Sequence, residues 1–373
     1  MKTYFFLFIN LLLLSCIAND KNDINYKIGV LLPLESKNAV INRLAKSMKD
    51  ASILAKEDLG ISNLKIEFFP TSGDPQKAYK QAKLAIDNNV DILVGPLYSD
   101  ETKIIKPLLK KNNINLISFS NDISVAGNNV FIIGLTYHQI ASRLVQYALS
   151  RDINKIGIVA PSDQSGKKAV KIINEVLREK GAALTVVTYY PLTITGIKNT
   201  SSAIYNELVT SNSQGIIFTD TPTLGLGFMA AEIDRKFKEF EKNNIQYMGL
   251  TKWDATKQTL NEPALQNGWF GVTDKRFKQK FEERFENRFG YIPHNFSSLS
   301  YDSIAALGAI IKNSDENFNE FLFSKKNITN KKGFIGVGGV FKFNKDGTND
   351  RAISLVTPNN GKLLILDEAP KNF

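Results

Sequence analysis

Lys27-Ile28-Gly29-Val30-Leu31-Leu32-Pro33 returns later in the chain as Lys155-Ile156-Gly157-Ile158-Val159-Ala160-Pro161. Each phrase is a short apolar run closed by proline, the pattern of a strand buried on both faces. After the first come helical spacing at Ala39 to Asp58, a strand at Leu64 to Phe69, a helix at Asp74 to Asn88 and the strand Ile92-Leu93-Val94, ended by Gly95-Pro96. A helix at Asp100 to Lys111 and a strand at Asn115 to Phe119 continue the alternation. After the second come a helix at Ser165 to Lys180, a strand at Leu184 to Tyr190, a helix at Lys198 to Ser211 and a strand at Gly215 to Thr219. Repeated βαβ units imply parallel sheets with helices on both faces and right-handed crossovers. The repeat therefore predicts an α/β protein of two similar doubly wound lobes, and the length is more than one core usually holds.

The rest of the chain predicts a helix at Met229 to Lys242, strands at Gln246 to Leu250 and Trp269 to Val272, and helices at Asp274 to Phe289 and Ser297 to Lys312. Phe277, Phe281, Phe285 and Phe289 form an i, i+4 stripe that reads as core packing. β-like segments at Val340 to Phe343, Ala352 to Val356 and Leu363 to Leu366 close the chain, and their order alone does not assign them to a lobe.

At the amino end Lys2, the apolar run Tyr4 to Leu14 and small Ser15 fit the pattern of a signal peptide, expected over residues 1–15, and the run is too short to span a bilayer. Cys16 is the only cysteine, so an internal disulfide and a cysteine metal cluster are excluded. Leu13-Leu14-Ser15-Cys16 resembles the bacterial lipobox. That resemblance implies a lipidated Cys16, a polar tether over residues 16–25 and a membrane-anchored, periplasmic protein. Ile17 in place of aspartate points to the outer membrane rather than the inner.

The net charge is +10, and loss of Lys2 with the leader leaves +9. The excess is dispersed and mostly lysine, with no aromatic-interleaved basic stripe, so nucleic acid is not an expected partner. Gly225-Leu226-Gly227-Phe228-Met229-Ala230 spells G-x-G-x-x-A without an acidic partner further on, and reads as a tight strand-to-helix turn. Ser165-Gly166-Lys167 follows Pro161 where a P-loop needs glycine. Asn344 to Asp350 lacks the EF-hand glutamate and reads as a β-turn. His138 and His294 have no zinc-type spacing, no nucleophile is paired with a base, and no metal, cofactor or catalytic residue is expected.

The phrases IGVLLPL (Ile28 to Leu34), DILVGPLYSD (Asp91 to Asp100), LISFSND (Leu116 to Asp122), FIIGLT (Phe131 to Thr136), IGIVAPSDQSGK (Ile156 to Lys167), SLSYDSIAALG (Ser298 to Gly308) and GFIGVGGVFKFNKDGTNDR (Gly333 to Arg351) resemble the type I periplasmic binding proteins over most of residues 26–357. Within them VAGNNVFIIGLT (Val125 to Thr136), GLTKWDA (Gly249 to Ala255) and EPALQNGWF (Glu262 to Phe270) are most similar to the lipoproteins called penicillin-binding protein activators. The resemblance implies three interlobe crossings. Lobe 1 is then expected from residues 26–136 plus 251–333, and lobe 2 from 137–250 plus 334–373.

Ligands of doubly wound sheets sit outside the carboxyl ends of the strands, and between two lobes those edges face each other. The facing loops are expected at Pro33 to Asn38, Tyr98 to Asp100, Ser120 to Asp122, Ser162 to Gly166 and Thr219 to Thr223. The crossings are expected at Thr136-Tyr137, Thr251 to Trp253 and near Gly333 to Gly336. The candidate ligand residues are Ser99, Ser120, Asn121, Tyr137, Ser165, Asp220 and Trp253. Against five of these stands a structural role: capping or turn formation for Ser99, Ser120 and Asn121, a solvated loop carboxylate for Asp220, and interlobe burial for Trp253. Amino-acid receptors of this family commonly carry an acidic residue after the second crossing for the α-ammonium, whereas Lys252-Trp253 stands there ahead of Asp254.

The resemblance thus implies a non-enzymatic lipoprotein that regulates a peptidoglycan synthase, its partner being a penicillin-binding protein. The alternative is a receptor that carries an amino acid or related solute to an ABC permease. A cell-wall enzyme would need a polar cluster that the sequence does not assemble.

Overall fold

The structure is a computed structural model that describes residues 25–240, 245–314 and 322–372. Cys16, the leader and all of the tether but Asn25 lie outside the described residues.

The first lobe runs β1 (Tyr26–Leu32), α1 (Ala39–Leu59), β2 (Leu64–Pro70), α2 (Pro75–Asp87), β3 (Ile92–Val94), α3 (Ser99–Asn112), β4 (Leu116–Ser118) and β5 (Val130–Ile132). Its strands pair in the order β2-β1-β3-β4-β5, all parallel, with Ile28 opposite both Ile66 and Ile92. The second runs α4 (Tyr137–Leu149), β6 (Lys155–Pro161), α5 (Gln164–Lys180), β7 (Ala183–Tyr190), α6 (Ile194–Thr210), β8 (Gly215–Phe218), α7 (Leu226–Glu239), β9 (Gln246–Gly249), α8 (Lys257–Leu260) and β10 (Trp269–Thr273).

The chain then gives α9 (Lys278–Phe289), α10 (Ser297–Lys312), α11 (Lys325–Ile328), β11 (Phe334–Gly336), β12 (Gly339–Phe343), β13 (Asn349–Arg351), β14 (Ile353–Asn359) and β15 (Lys362–Asp367). The second sheet reads β15-β14-β10-β9-β8-β6-β7.

Read from its β7 edge, the second sheet begins β7-β6-β8-β9-β10, the same connectivity as β2-β1-β3-β4-β5. The two repeated phrases, β1 and β6, hold equivalent inner positions. Their glycines answer one requirement: a Cβ on Gly29 would lie 2.8 Å from Leu93 Cδ2, and one on Gly157 2.9 Å from Leu208 Cδ2. Beyond their first residues both strands are buried, including Ile28, Val30, Ile156 and Ile158. Each such side chain contributes about 1.5–3 kcal/mol relative to exposure.

The division of the late segments differs from expectation. β10 was expected in lobe 1, but it pairs in parallel with β9, and Phe270 packs into the second lobe's core. Residues 334–351 were expected in lobe 2, yet Phe334, Phe341 and Phe343 pack with Ile28, Phe119 and Phe131 of the first. The cause is aromatic: Phe131 and Phe343 meet edge-on at 5.9 Å, which holds the small antiparallel β11-β12-β13 sheet on the first lobe. Helix α10 lies along α1, where Ser47 and Ser52 hydrogen-bond Ser297 and Ser300 at 2.8 and 2.7 Å. Strands β14 and β15 then return to the second sheet, antiparallel. The chain therefore passes between lobes after β5, after β10 and after β13.

Of the phenylalanine stripe, Phe281 and Phe285 are buried against Ala51 and Leu54 and Phe289 packs beside them, while Phe277 stays exposed at the helix start. No helix among the described residues is long and apolar enough to cross a membrane.

Candidate functional site

The strand ends of both sheets converge on a cavity of about 830 Å³ between the lobes. The first lobe contributes Tyr98, Phe119 and Asn121 from the turns after β3 and β4, and the second contributes Thr221 to Thr223 after β8 and Leu250 to Lys252 after β9. The crossings supply Leu135, Tyr137, Asp274 and Arg351, and the start of α9 supplies Lys278 and Phe281.

The crossings are held by a buried polar knot. Thr136 and Gln139 cap α4 reciprocally, with Gln139 N donating to Thr136 Oγ1 at 3.2 Å and Thr136 N donating to Gln139 Oε1 at 2.9 Å. The Gln139 amide also donates to Asn349, whose own amide donates to the carbonyls of Ile132 and Gly134 at 2.7 and 3.1 Å. Arg351 Nε donates to the carbonyl of Ile133 at 3.1 Å, and its guanidinium pairs with Asp302 at 3.0 Å. Asp302 in turn accepts the Val337 amide at 2.6 Å. The first and third crossings and α10 are thereby one unit.

Of the sequence candidates, Asn121 and Tyr137 line the cavity. Burial pushes the Tyr137 phenol above its ordinary range, so it stays protonated and able to donate. Ser99 begins α3, outside the lining. Ser120 is buried and its hydroxyl accepts the Asp122 amide at 3.0 Å, a turn role. Ser165 is exposed on α5, capped by Asp163, whose carboxylate accepts the Gly166 amide at 2.7 Å.

Asp220 is buried and committed internally: it accepts the Tyr190 hydroxyl at 2.8 Å and the amides of Thr221 and Gly225 at 2.6 and 2.7 Å. Burial raises its pKa against those hydrogen bonds. Trp253 is fully buried, stacked on Phe270 at 5.6 Å between Gly249 and Gly268, which leave no room for any side chain of their own. Its place is the second lobe's core rather than the cavity wall.

The residue that the ligand candidates omitted is Lys252. Thr251 donates its hydroxyl to the Asp220 carbonyl at 2.7 Å and is buried, and Trp253 is buried, so Lys252 between them turns into the cavity. Lys252 is exposed to the solvent of the open cavity, and the protein atoms crowded about its stem lower its pKa despite nearby Asp254, with the cations of Lys278, Lys275 and Arg351 adding to the lowering. Among the described residues it makes no hydrogen bond or ion pair. The signal was visible as a lysine where the resemblance implies an acid. His294, also on the wall, is held neutral by burial, and its Nδ1 accepts the Phe296 amide at 3.2 Å, which leaves Nε2–H to donate. No cluster of three metal-ligating side chains occurs among the described residues.

Two doubly wound lobes that enclose a cavity at their strand ends define a ligand-binding architecture. The chain belongs to the periplasmic binding protein family, whose model matches residues 25–362. It is 22% identical over 296 residues to Leu/Ile/Val-binding protein homolog 6 of Brucella suis biovar 1, covering 75% of this chain and 72% of that one. A solved structure from Rhodospirillum rubrum, described as a branched-chain amino acid ABC transporter, superposes with a TM-score of 0.76 at 14% identity, over 92% of this chain and all of the other. The Streptococcus pneumoniae branched-chain amino acid transporter substrate-binding protein LivJ, in complex with isoleucine, gives a TM-score of 0.61 at 16% identity, over 93% of this chain and 100% of that one. The family is a substrate-binding class, and its members are proteins of the periplasm.

Proposed function

We propose that this protein is a solute receptor that captures a small molecule between its lobes and presents it to an ABC permease. The observation that carries the reading is the 830 Å³ cavity, walled by both lobes and all three crossings, a size suited to a small organic ligand. Crossings joined by buried hydrogen bonds suit hinge closure about such a ligand. Branched-chain amino acid transport by the relatives supports the class of partner. Lipidation at Cys16 would hold the receptor at a membrane, the outer one by the identity of Ile17. The other expectation, regulation of a penicillin-binding protein, finds no support in these relatives.

Thermal denaturation with a solute panel, beside crosslinking in intact envelopes, separates the two. A receptor gains about 2.7 kcal/mol at a hundredfold excess of ligand over Kd and crosslinks to a permease. Indifference to every solute together with recovery of a peptidoglycan synthase sinks the proposal.

A further inference from the structure

Every carboxylate on the cavity wall is already engaged. Asp254 pairs with Lys275 at 3.3 Å and Glu282 with Lys278 at 3.4 Å. Asp274 accepts the Arg276 amide at 2.9 Å and pairs with the Arg276 side chain. Asp220, just behind the wall, is consumed by Tyr190, Thr221 and Gly225. Arg351 is engaged by Asp302. What is left over among the described residues is one ammonium, Lys252, facing a space with apolar walls at Phe119, Leu135, Ile140, Leu250 and Phe281.

A zwitterionic α-amino acid needs an acceptor for its ammonium, and this wall offers no uncommitted carboxylate. Lys252 is solvent-exposed within the open cavity and has no carboxylate of its own, so an anionic ligand that settles against it displaces water rather than a protein partner and gains the ammonium as a counter-charge. Tyr137, His294 and Asn121 add neutral donors around the same space. We propose, building on the receptor reading, that the cavity selects an organic anion with an apolar body and no balancing ammonium, with Lys252 as its counter-charge.

Matched pairs test this directly. Calorimetric titration compares L-leucine with 4-methylpentanoate and L-phenylalanine with 3-phenylpropionate, each pair differing only in the α-ammonium, for the native protein and for Lys252→Met and Lys252→Arg. The expected result is that at least one desamino acid binds about tenfold or more tighter than its amino acid. Lys252→Met then loses about tenfold or more of that affinity, and Lys252→Arg keeps most of it. Unliganded Lys252→Met should unfold at close to the same temperature as the native protein, because Lys252 is exposed and makes no hydrogen bond or ion pair that the methionine would break; this separates loss of binding from loss of fold.

Amino acids that bind as tightly as their desamino partners, or a Lys252→Met protein with undiminished carboxylate affinity, overturn the inference and leave the receptor reading standing. A protein to which no member of this set binds overturns the inference. If a wider solute panel also fails to stabilise it, the receptor reading falls as well.

Discussion

Lys168 Nζ lies 2.8 Å from Asp122 Oδ2, an ion pair that joins α5 of the second lobe to the turn after β4 in the first. Burial opposes ionisation of Asp122, but the Lys168 ammonium and the Ser124 amide and hydroxyl outweigh it and hold the carboxyl below its usual range. The pair is a clasp between lobes that needs no ligand. Because Lys168 is 54% exposed, the clasp is worth ~0–1 kcal/mol. Lys168→Ala should therefore shift the unliganded protein toward an open form, raise the radius of gyration in X-ray scattering and weaken solute binding by roughly fivefold at most. High salt should mimic the substitution. An unchanged scattering profile at low salt would refute the clasp.

Glu101 sets a pH response in the first lobe. Its side chain is buried, Oε2 accepts the Tyr98 amide at 3.2 Å, and Oε1 has no partner among the described polar atoms. Desolvation, opposed by Thr71 and the Tyr98 amide, raises the pKa to about 7. A carboxyl raised on folding stabilises the protein fully below the unfolded value of ~4.3, and that contribution is lost as pH rises through about 7. The loss is on the order of 3 kcal/mol. Urea midpoints should fall between pH 5 and pH 8, and Glu101→Gln should flatten the slope. A native protein with the same midpoint at both pH values contradicts this.

The knot at the crossings is a stability element. Asp302→Ala leaves Arg351 charged, almost without solvent contact and unpaired, which should cost about 3–5 kcal/mol in denaturant unfolding. The joint change Asp302→Leu with Arg351→Met should recover only part of that, because the Val337 amide that Asp302 accepts stays orphaned.

Asp220 and Trp253 should behave as fold residues. Asp220→Asn is expected to lower stability by ~1–3 kcal/mol, and Trp253→Ala by ~3–5 kcal/mol. Affinity for any solute should change less than twofold for Asp220→Asn, because the carboxylate is buried outside the lining and engaged by Tyr190, Thr221 and Gly225. A tenfold loss of affinity in a stably folded Asp220→Asn protein would return this residue to the binding site.

The doubly wound lobes were legible because β1 and β6 carry the same phrase, and a buried parallel strand leaves few other readings for an apolar run closed by proline. The late segments were not: β10 joins β9, and β11 to β13 stay with the first lobe, through contacts distant in sequence, such as Phe131 with Phe343, that no local pattern encodes. At the site, the turns after β4 and β8 were found, but the direction of each side chain was not. Thr251, Lys252 and Trp253 alternate between interior and cavity, and a shift of one position exchanges the roles of lysine and tryptophan. Asp220 was misread for a related reason: whether a loop carboxylate faces a ligand or its own turn depends on the Tyr190 hydroxyl, thirty residues earlier.

The late returns of the chain also make the two halves depend on one carboxyl end. A nascent or truncated polypeptide that stops before Phe334 has neither the aromatic sheet that seals the first half nor the antiparallel pair that borders the second. Each half should therefore gain its full protection from hydrogen exchange only when the carboxyl-terminal segments are present, and a chain cut before Phe334 should expose apolar surface in both.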